Sequence, residues 1–184
     1  MERAFAVDDA ELIRGTLDGR REDFDALVER YQKALYAFAY RFVHDHDQAA
    51  DIVQVTFVQA YTHLKQFAGR SSFKTWLHQI ALNECRALHR TAAARQHLSL
   101  SDMSERALEP LVAPDADTIG WKPLLERLIT KLPLRQRAVV ILRVFSDLPF
   151  KEIAWLEGIS ENSAKVSYHH AIARLRSWVR EKDG

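Results

Sequence analysis

Apolar residues recur at steps of three and four along almost the whole chain, which predicts helices and no strand. From Phe24, the positions Leu27, Val28, Tyr31, Leu35, Phe38, Ala39 and Phe42 keep one helical face for about five turns. A shorter helix is expected at about 8–18. The run HDHD at 44–47 interrupts the pattern, and Asp47 is placed to cap a second long helix carrying Ile52, Val53, Phe57, Ala60, Tyr61 and Leu64. After the loop FAGRSS, a third shows Phe73, Trp76, Leu77, Ile80, Ala81 and Leu88, and this bundle is expected to end near Arg90. No segment alternates with period two.

Between about 91 and 121 the pattern lapses into a stretch rich in Ser, Ala, Asp and Pro, read as a flexible linker. Helices are expected again at about 121–130, 134–145, 149–157 and 161–180, with Pro133 suited to a first helical turn. The fold class is therefore all-α: two small helical domains, 1–92 and 122–184, joined by a linker at 93–121. A four-helix unit of some 60 residues buries only about 60% of its unfolded surface, so the second should be marginal unless it binds something.

The stretch Asp147 to Arg176 has the shape of a helix-turn-helix. Ile153, Ala154 and Leu156 give the first helix an apolar side, Gly158 can turn left-handed after it, and Ser160 can cap the second. In that second helix Ala164, Tyr168, Ala171, Leu175 and Trp178 form one stripe for burial. Asn162, Lys165, Val166 and His169 then lie outside, with Ser163 and His170 beside them, where they can enter a major groove. An ordinary helical hairpin with a solvated polar face fits the same spacing.

Composition alone, 47% hydrophobic and 28% charged, marks an ordinary globular chain without a membrane-length apolar run. The early acids of MERAFAVDDAELIR argue against a signal peptide, so a cytoplasmic protein is expected. The single cysteine, Cys85, is expected to be a buried thiol. A net charge of +1 hides segregation. Residues 1–64 carry 7 basic and 12 acidic side chains, 65–98 carry 6 and 1, 99–121 carry 1 and 5, and 122–184 carry 12 and 7. Two basic blocks alternating with two acidic ones suit two separate contacts with a polyanion. His44, Asp45, His46 and Asp47 are the one candidate metal cluster, but consecutive residues on a turn rarely converge on an ion, so neither metal, cofactor nor catalysis is expected.

Four stretches in order, FDALVERYQKALYAFAYRF, AADIVQVTFVQAYTHLKQF, FKTWLHQIALNECRALHR and LPLRQRAVVILRVFSDLPFKEIAWLEGISENSAKVSYHHAIARLR, resemble bacterial RNA polymerase sigma factors of the extracytoplasmic-function type. The resemblance covers about Asp8 to Arg180. It implies an alternative sigma factor that binds core RNA polymerase and directs it to promoters, reading a melted minus-10 element and a double-stranded minus-35 element. It also implies a membrane-anchored anti-sigma factor as inhibitor, which would tether the chain at the inner face of the membrane, and a monomer when free.

Residue by residue, the resemblance places polymerase docking at Asp51 and Gln54, with Ile52, Val53 and Phe57 beside them; Ile52 and Phe57 also suit the core. Ala50 and Val55 stand where an acid is common. The loop Phe67 to Phe73 resembles a base-capture loop: Phe67, Gly69, Ser71 and Ser72 would form it, and Asn83 would read the base edge. Lys65, Arg70, Lys74, Arg86 and Arg90 would follow the backbone. Trp76 suits the core better than stacking on a base. For the minus-35 element, Asn162, Ser163, Lys165, Val166, Ser167, His169 and His170 would face the groove, and Arg143, Arg174 and Arg176 would hold phosphates. Of the family's usual recognition run only Lys165 keeps its character, so the preferred sequence should differ. The main competitor is a helical regulator that binds DNA without polymerase, which would need neither the Asp51 to Gln54 helix nor the Phe67 loop.

Overall fold

The computed structural model describes residues 7–99 and 121–180, with backbone alone at 92–99 and 121–123. Its helices are α1 (Asp9–Leu17), α2 (Arg21–Val43), α3 (His46–His63), α4 (Phe73–Ser99), α5 (Trp121–Thr130), α6 (Leu134–Val140), α7 (Phe150–Glu157) and α8 (Glu161–Arg180). Among the described residues there is no strand. α2 is the centre of the N-terminal bundle and packs on α1, α3 and α4. Its inward positions Leu27, Leu35, Phe38, Ala39 and Phe42 are fully buried, as the periodicity predicts. In the C-terminal unit α8 packs on α5, α6 and α7.

Three local expectations need correction. The cap of α3 is Asp45, not Asp47: Asp45 is extended at φ −143 and ψ 129, and its carboxylate accepts the Gln48 N–H at 2.8 Å. Asp47 falls inside the first turn, where its charge still favours the helix N-terminus. α4 does not stop near Arg90 but continues to Ser99. Ala92, Ala93 and Ala94 favour helix without adding an apolar stripe, so periodicity misses this extension. The rest of the expected linker, 100–120, lies outside the described residues.

The helix expected at 134–145 is regular only to Val140 and then widens into a π turn, Ile141–Phe145, which the Ser146 N–H closes on the Ile141 carbonyl at 3.1 Å. Pro133 precedes α6 as its cap, in extended conformation, with its carbonyl accepting from Arg137 N–H. The C-terminal unit does not stand alone. α5 and the π turn rest on α2, and α7 rests on α4.

Candidate nucleic-acid and partner interfaces

The helix-turn-helix forms as its residues dictate. Gly158 adopts φ 63, a left-handed conformation that penalises any side chain, and the Ile159 N–H then reaches back to the Ala154 carbonyl at 3.0 Å. Ser160 caps α8 by accepting the Ser163 N–H at 3.1 Å. Ala164, Ala171 and Leu175 are buried against the rest of the unit, with Tyr168 and Trp178 half-buried beside them. Asn162, Ser163, Lys165, Val166, His169, His170, Arg174 and Arg176 are exposed, and Ser167 is half-buried. Lys165 pairs with Glu161 one turn earlier at 2.7 Å, both half exposed, a contact that water and DNA can displace. Arg143 is part exposed and also engaged within its own unit. Its Nη1 donates to the Leu148 carbonyl at 3.1 Å and its guanidinium lies over the Phe150 ring, so it braces the entry to α7.

In the N-terminal bundle, Phe67 packs edge-on against Phe73 and beside Trp76, at ring separations of 5.6 and 5.2 Å. Trp76 is half-buried in this aromatic group. Gly69 takes φ 65 at the loop tip. Ser72 is committed to α4 as its cap: its Oγ accepts the Thr75 N–H at 3.1 Å and donates to Thr75 Oγ1 at 2.8 Å. Ser71 donates to the Ser72 carbonyl. Arg70, Asn83 and Arg90 are exposed, as is Lys65. Cys85 is buried, and burial pushes its thiol up to about 12, which makes it unreactive.

The outer surface of α3 has two shallow apolar grooves. Asp51 and Gln54 are exposed on it, but Ile52 and Phe57 are not free to form an exposed seam. They are buried by the bundle and show only as groove floor, Ile52 toward Glu84 and Leu88, Phe57 toward Val28 and Tyr36. The exposed apolar side chains are Val55, Val58 and Tyr61; Tyr61, expected on the apolar stripe, is part exposed beside Phe24 of α2, and Val58 was not singled out by residue pattern.

The largest departure from expectation concerns Lys74 and Arg86. Both are turned toward the C-terminal unit instead of solvent: Lys74 Nζ donates to the Ser146 carbonyl, and Arg86 Nη2 lies 2.5 Å from Glu157 Oε1. Thr75 Oγ1 donates to Glu152, and His78 Nε2 accepts from Ser146 Oγ at 3.0 Å. Nδ1 of His78 faces the Lys74 carbonyl at 2.8 Å and must donate to it, so in the neutral ring Nε2 is free to accept. Burial holds its pKa down to about 4.

Arg137 of α6 crosses in the opposite direction. Its Nη1 donates to the Phe42 carbonyl at 2.8 Å and to His89 Nε2 at 3.2 Å, while Nη2 reaches the Thr130 and Leu132 carbonyls. These cross-contacts went unforeseen, because periodicity shows which face is buried but not against what.

Comparison with known proteins identifies two family regions along the chain. Residues 27–95 match sigma-70 region 2, and residues 123–175 match sigma-70 region 4. The chain is 32% identical over 156 residues to the RNA polymerase sigma-H factor of Pseudomonas aeruginosa, spanning 79% of this chain and 80% of that one. It is 25% identical over 178 residues to the extracytoplasmic-function sigma factor SigW of Bacillus subtilis, spanning 92% and 95%. Among solved structures it is similar to CnrH in complex with the cytosolic domain of CnrY, with a TM-score of 0.71, 26% identity and coverage of 94% and 97%. It is also similar to the sigma factor RpoE in complex with the anti-sigma factor NepR from Bartonella quintana, at 0.69, 25%, and 86% and 98%. No helix among the described residues is long and apolar enough to cross a membrane. Two sigma-70 regions in order, on an all-helical fold with an exposed helix-turn-helix, place the chain in the sigma-70 family of RNA polymerase sigma factors, in its extracytoplasmic-function branch, as an alternative sigma factor for transcription initiation.

Proposed function

We propose that the two units act as the two halves of a promoter clamp, 1–92 opening the DNA that 122–184 locates, with 93–121 joining them. The observation that carries this division is the reading face of α8, left exposed while its opposite stripe is buried. Asn162, Ser163, Lys165, Val166, Ser167, His169 and His170 face the minus-35 groove, and Arg174 holds a phosphate. Arg143 braces this helix pair and, with its side chain part exposed, joins Arg174 in holding the phosphates. In the N-terminal unit, Phe67 and the loop Gly69 to Ser72 hold the flipped base, Asn83 reads its edge, and Arg70 and Arg90 track the backbone, joined by Lys74 and Arg86 once they are released. A protein without a nucleotide cofactor offsets the few kcal/mol of unstacking only by binding the opened strand, which is the task of this loop.

Core RNA polymerase docks on the outer face of α3. Asp51 and Gln54 set the register, Val55 and Val58 supply the exposed apolar contact, and Ile52 and Phe57 support them from beneath. The chain works in the cytoplasm as a monomer when free, needs neither metal nor cofactor and catalyses nothing itself. An anti-sigma factor restrains it, which the similarity to RpoE, solved with the anti-sigma factor NepR, supports; where membrane-anchored, that partner holds it at the inner face of the membrane.

Two substitutions separate the halves. Lys165→Ala weakens binding to a duplex minus-35 fragment by about 1–3 kcal/mol, while Asn83→Ala leaves duplex binding intact and lowers open-complex formation by a similar margin. Footprinting of the polymerase complex with permanganate reactivity reads both. Unchanged promoter output in both variants removes the assignment.

A further inference from the structure

Val166 is an apolar side chain at the centre of a polar reading face. Asn162, Val166, His169 and Ala173 recur at steps of four, three and four, so they line one side of α8, opposite the buried Ala164, Ala171 and Leu175. All four are exposed, Val166 by 44%. The polar groups that flank this line are engaged within the chain: Lys165 pairs with Glu161, and Ser163 Oγ shares a hydrogen bond with Ser160 Oγ at 2.8 Å. A single exposed valine is ordinary on a protein surface. This one stands in the first half of α8, the part of the second helix of a helix-turn-helix that meets base edges.

Valine constrains what it can face. It neither donates nor accepts a hydrogen bond, so a polar base edge pressed against it loses water without gaining a partner. Every base pair presents donors and acceptors in the major groove, and only thymine adds an apolar group there, its C5 methyl. The side chain is also set in advance: β-branching holds it in one preferred rotamer on a helix, so the contact costs little side-chain entropy.

We propose that Val166 selects a thymine in the minus-35 element by packing on its C5 methyl group, between the hydrogen-bonding side chains of Asn162 and His169. This rests on the reading of α8 as the minus-35 helix and names the group that it recognises. Cytosine lacks the methyl and places an amino group nearby, so it is disfavoured at this position. Turning the pair round moves the methyl to the other strand and sets adenine's polar edge against the valine, so the contact also reads the orientation of the A·T pair.

The test uses holoenzyme assembled from core polymerase and the full chain, on a duplex promoter fragment whose transcript start has been mapped with it. Each thymine of the minus-35 element is replaced in turn by deoxyuridine, which removes the methyl and keeps the pairing. At one position the replacement should weaken equilibrium binding about fourfold, the worth of one buried methyl group. Val166→Ser, at an exposed position where the fold is not at stake, should bind the thymine and uracil fragments equally. That comparison separates a contact from a change in DNA flexibility, which both proteins would sense alike. Uracil without effect at every position, an equal loss in both proteins, or a minus-35 element with no A·T pair overturns the thymine contact. Each leaves the minus-35 reading standing, provided that scrambling the element weakens binding. A scrambled element bound as well as the intact one overturns the reading of α8, and the thymine contact with it.

Discussion

Arg137→Leu should destabilise the protein by about 3 kcal/mol, more than any substitution on the DNA-facing surfaces. Arg137 is 8% exposed, and its guanidinium serves the Phe42, Thr130 and Leu132 carbonyls together with His89 Nε2. Leucine fills part of the volume but donates nothing, and each buried acceptor left without a partner costs about 1–3 kcal/mol. One effect works against the loss. Burial lowers the pKa of Arg137, which shows that its charge sits in an unfavourable setting, so removing it returns some free energy. Loss of the four acceptors' donor still dominates, and for a chain of this size it lowers Tm by roughly 6–12 °C. Phe42 belongs to α2 and Arg137 to α6, so the variant should also unfold in two steps where the parent unfolds in one. Calorimetry reads both, and a loss below about 1 kcal/mol would mean that the bridge is incidental. Arg137→Lys should recover only part, since a single ammonium does not span four acceptors.

Acid should weaken the fold through His78. Its pKa is held down to about 4 by burial, below the ordinary histidine value of about 6.5, so the folded state refuses a proton that the unfolded chain accepts. Above pH 6.5 the ring is neutral in both states and its contribution is fully present. As pH falls through 6.5 toward 4, stability drops by about 1.4 kcal/mol per unit, or about 3 kcal/mol in all. His44 and His89 are also shifted down by burial and add to the same trend. Protonation at Nε2 removes the acceptor for Ser146 Oγ, so the contact between α4 and the C-terminal unit fails along with the fold. Urea midpoints from pH 7.5 to 4 should show a shallower slope in His78→Gln, which cannot charge. Equal slopes in the two proteins would place the acid sensitivity elsewhere.

Much of this architecture is legible in residue order because each unit buries one stripe per helix. Leu27 to Phe42 and Ala164 to Leu175 are read from spacing alone, and Gly158 and Ser160 mark the turn between α7 and α8 by their backbone chemistry. Where two residues satisfy the same rule, spacing does not choose: Asp45 and Asp47 are both acceptable caps, and backbone conformation decides for Asp45. Ala92 to Ala94 continue α4 through propensity, to which periodicity is blind. The exposed apolar positions Val55 and Val58 follow from the same logic, since a helix packed on two sides still has an outer face.

The contact between units was not legible, because burial patterns do not name the partner. Its one advance signal is Glu157, an acid at the end of a short helix between buried Leu156 and the left-handed Gly158. The same contact explains why Lys74 and Arg86 are not free, and how a C-terminal unit too small to be secure alone gains support.

Run-off transcription with purified core RNA polymerase, this chain and genomic fragments, followed by mapping of transcript 5′ ends, addresses the central claim directly. Initiation should depend on the chain, and the mapped starts should share two upstream elements, one in the minus-10 and one in the minus-35 region. Initiation no greater than that of core polymerase alone, on every double-stranded fragment, would contradict it.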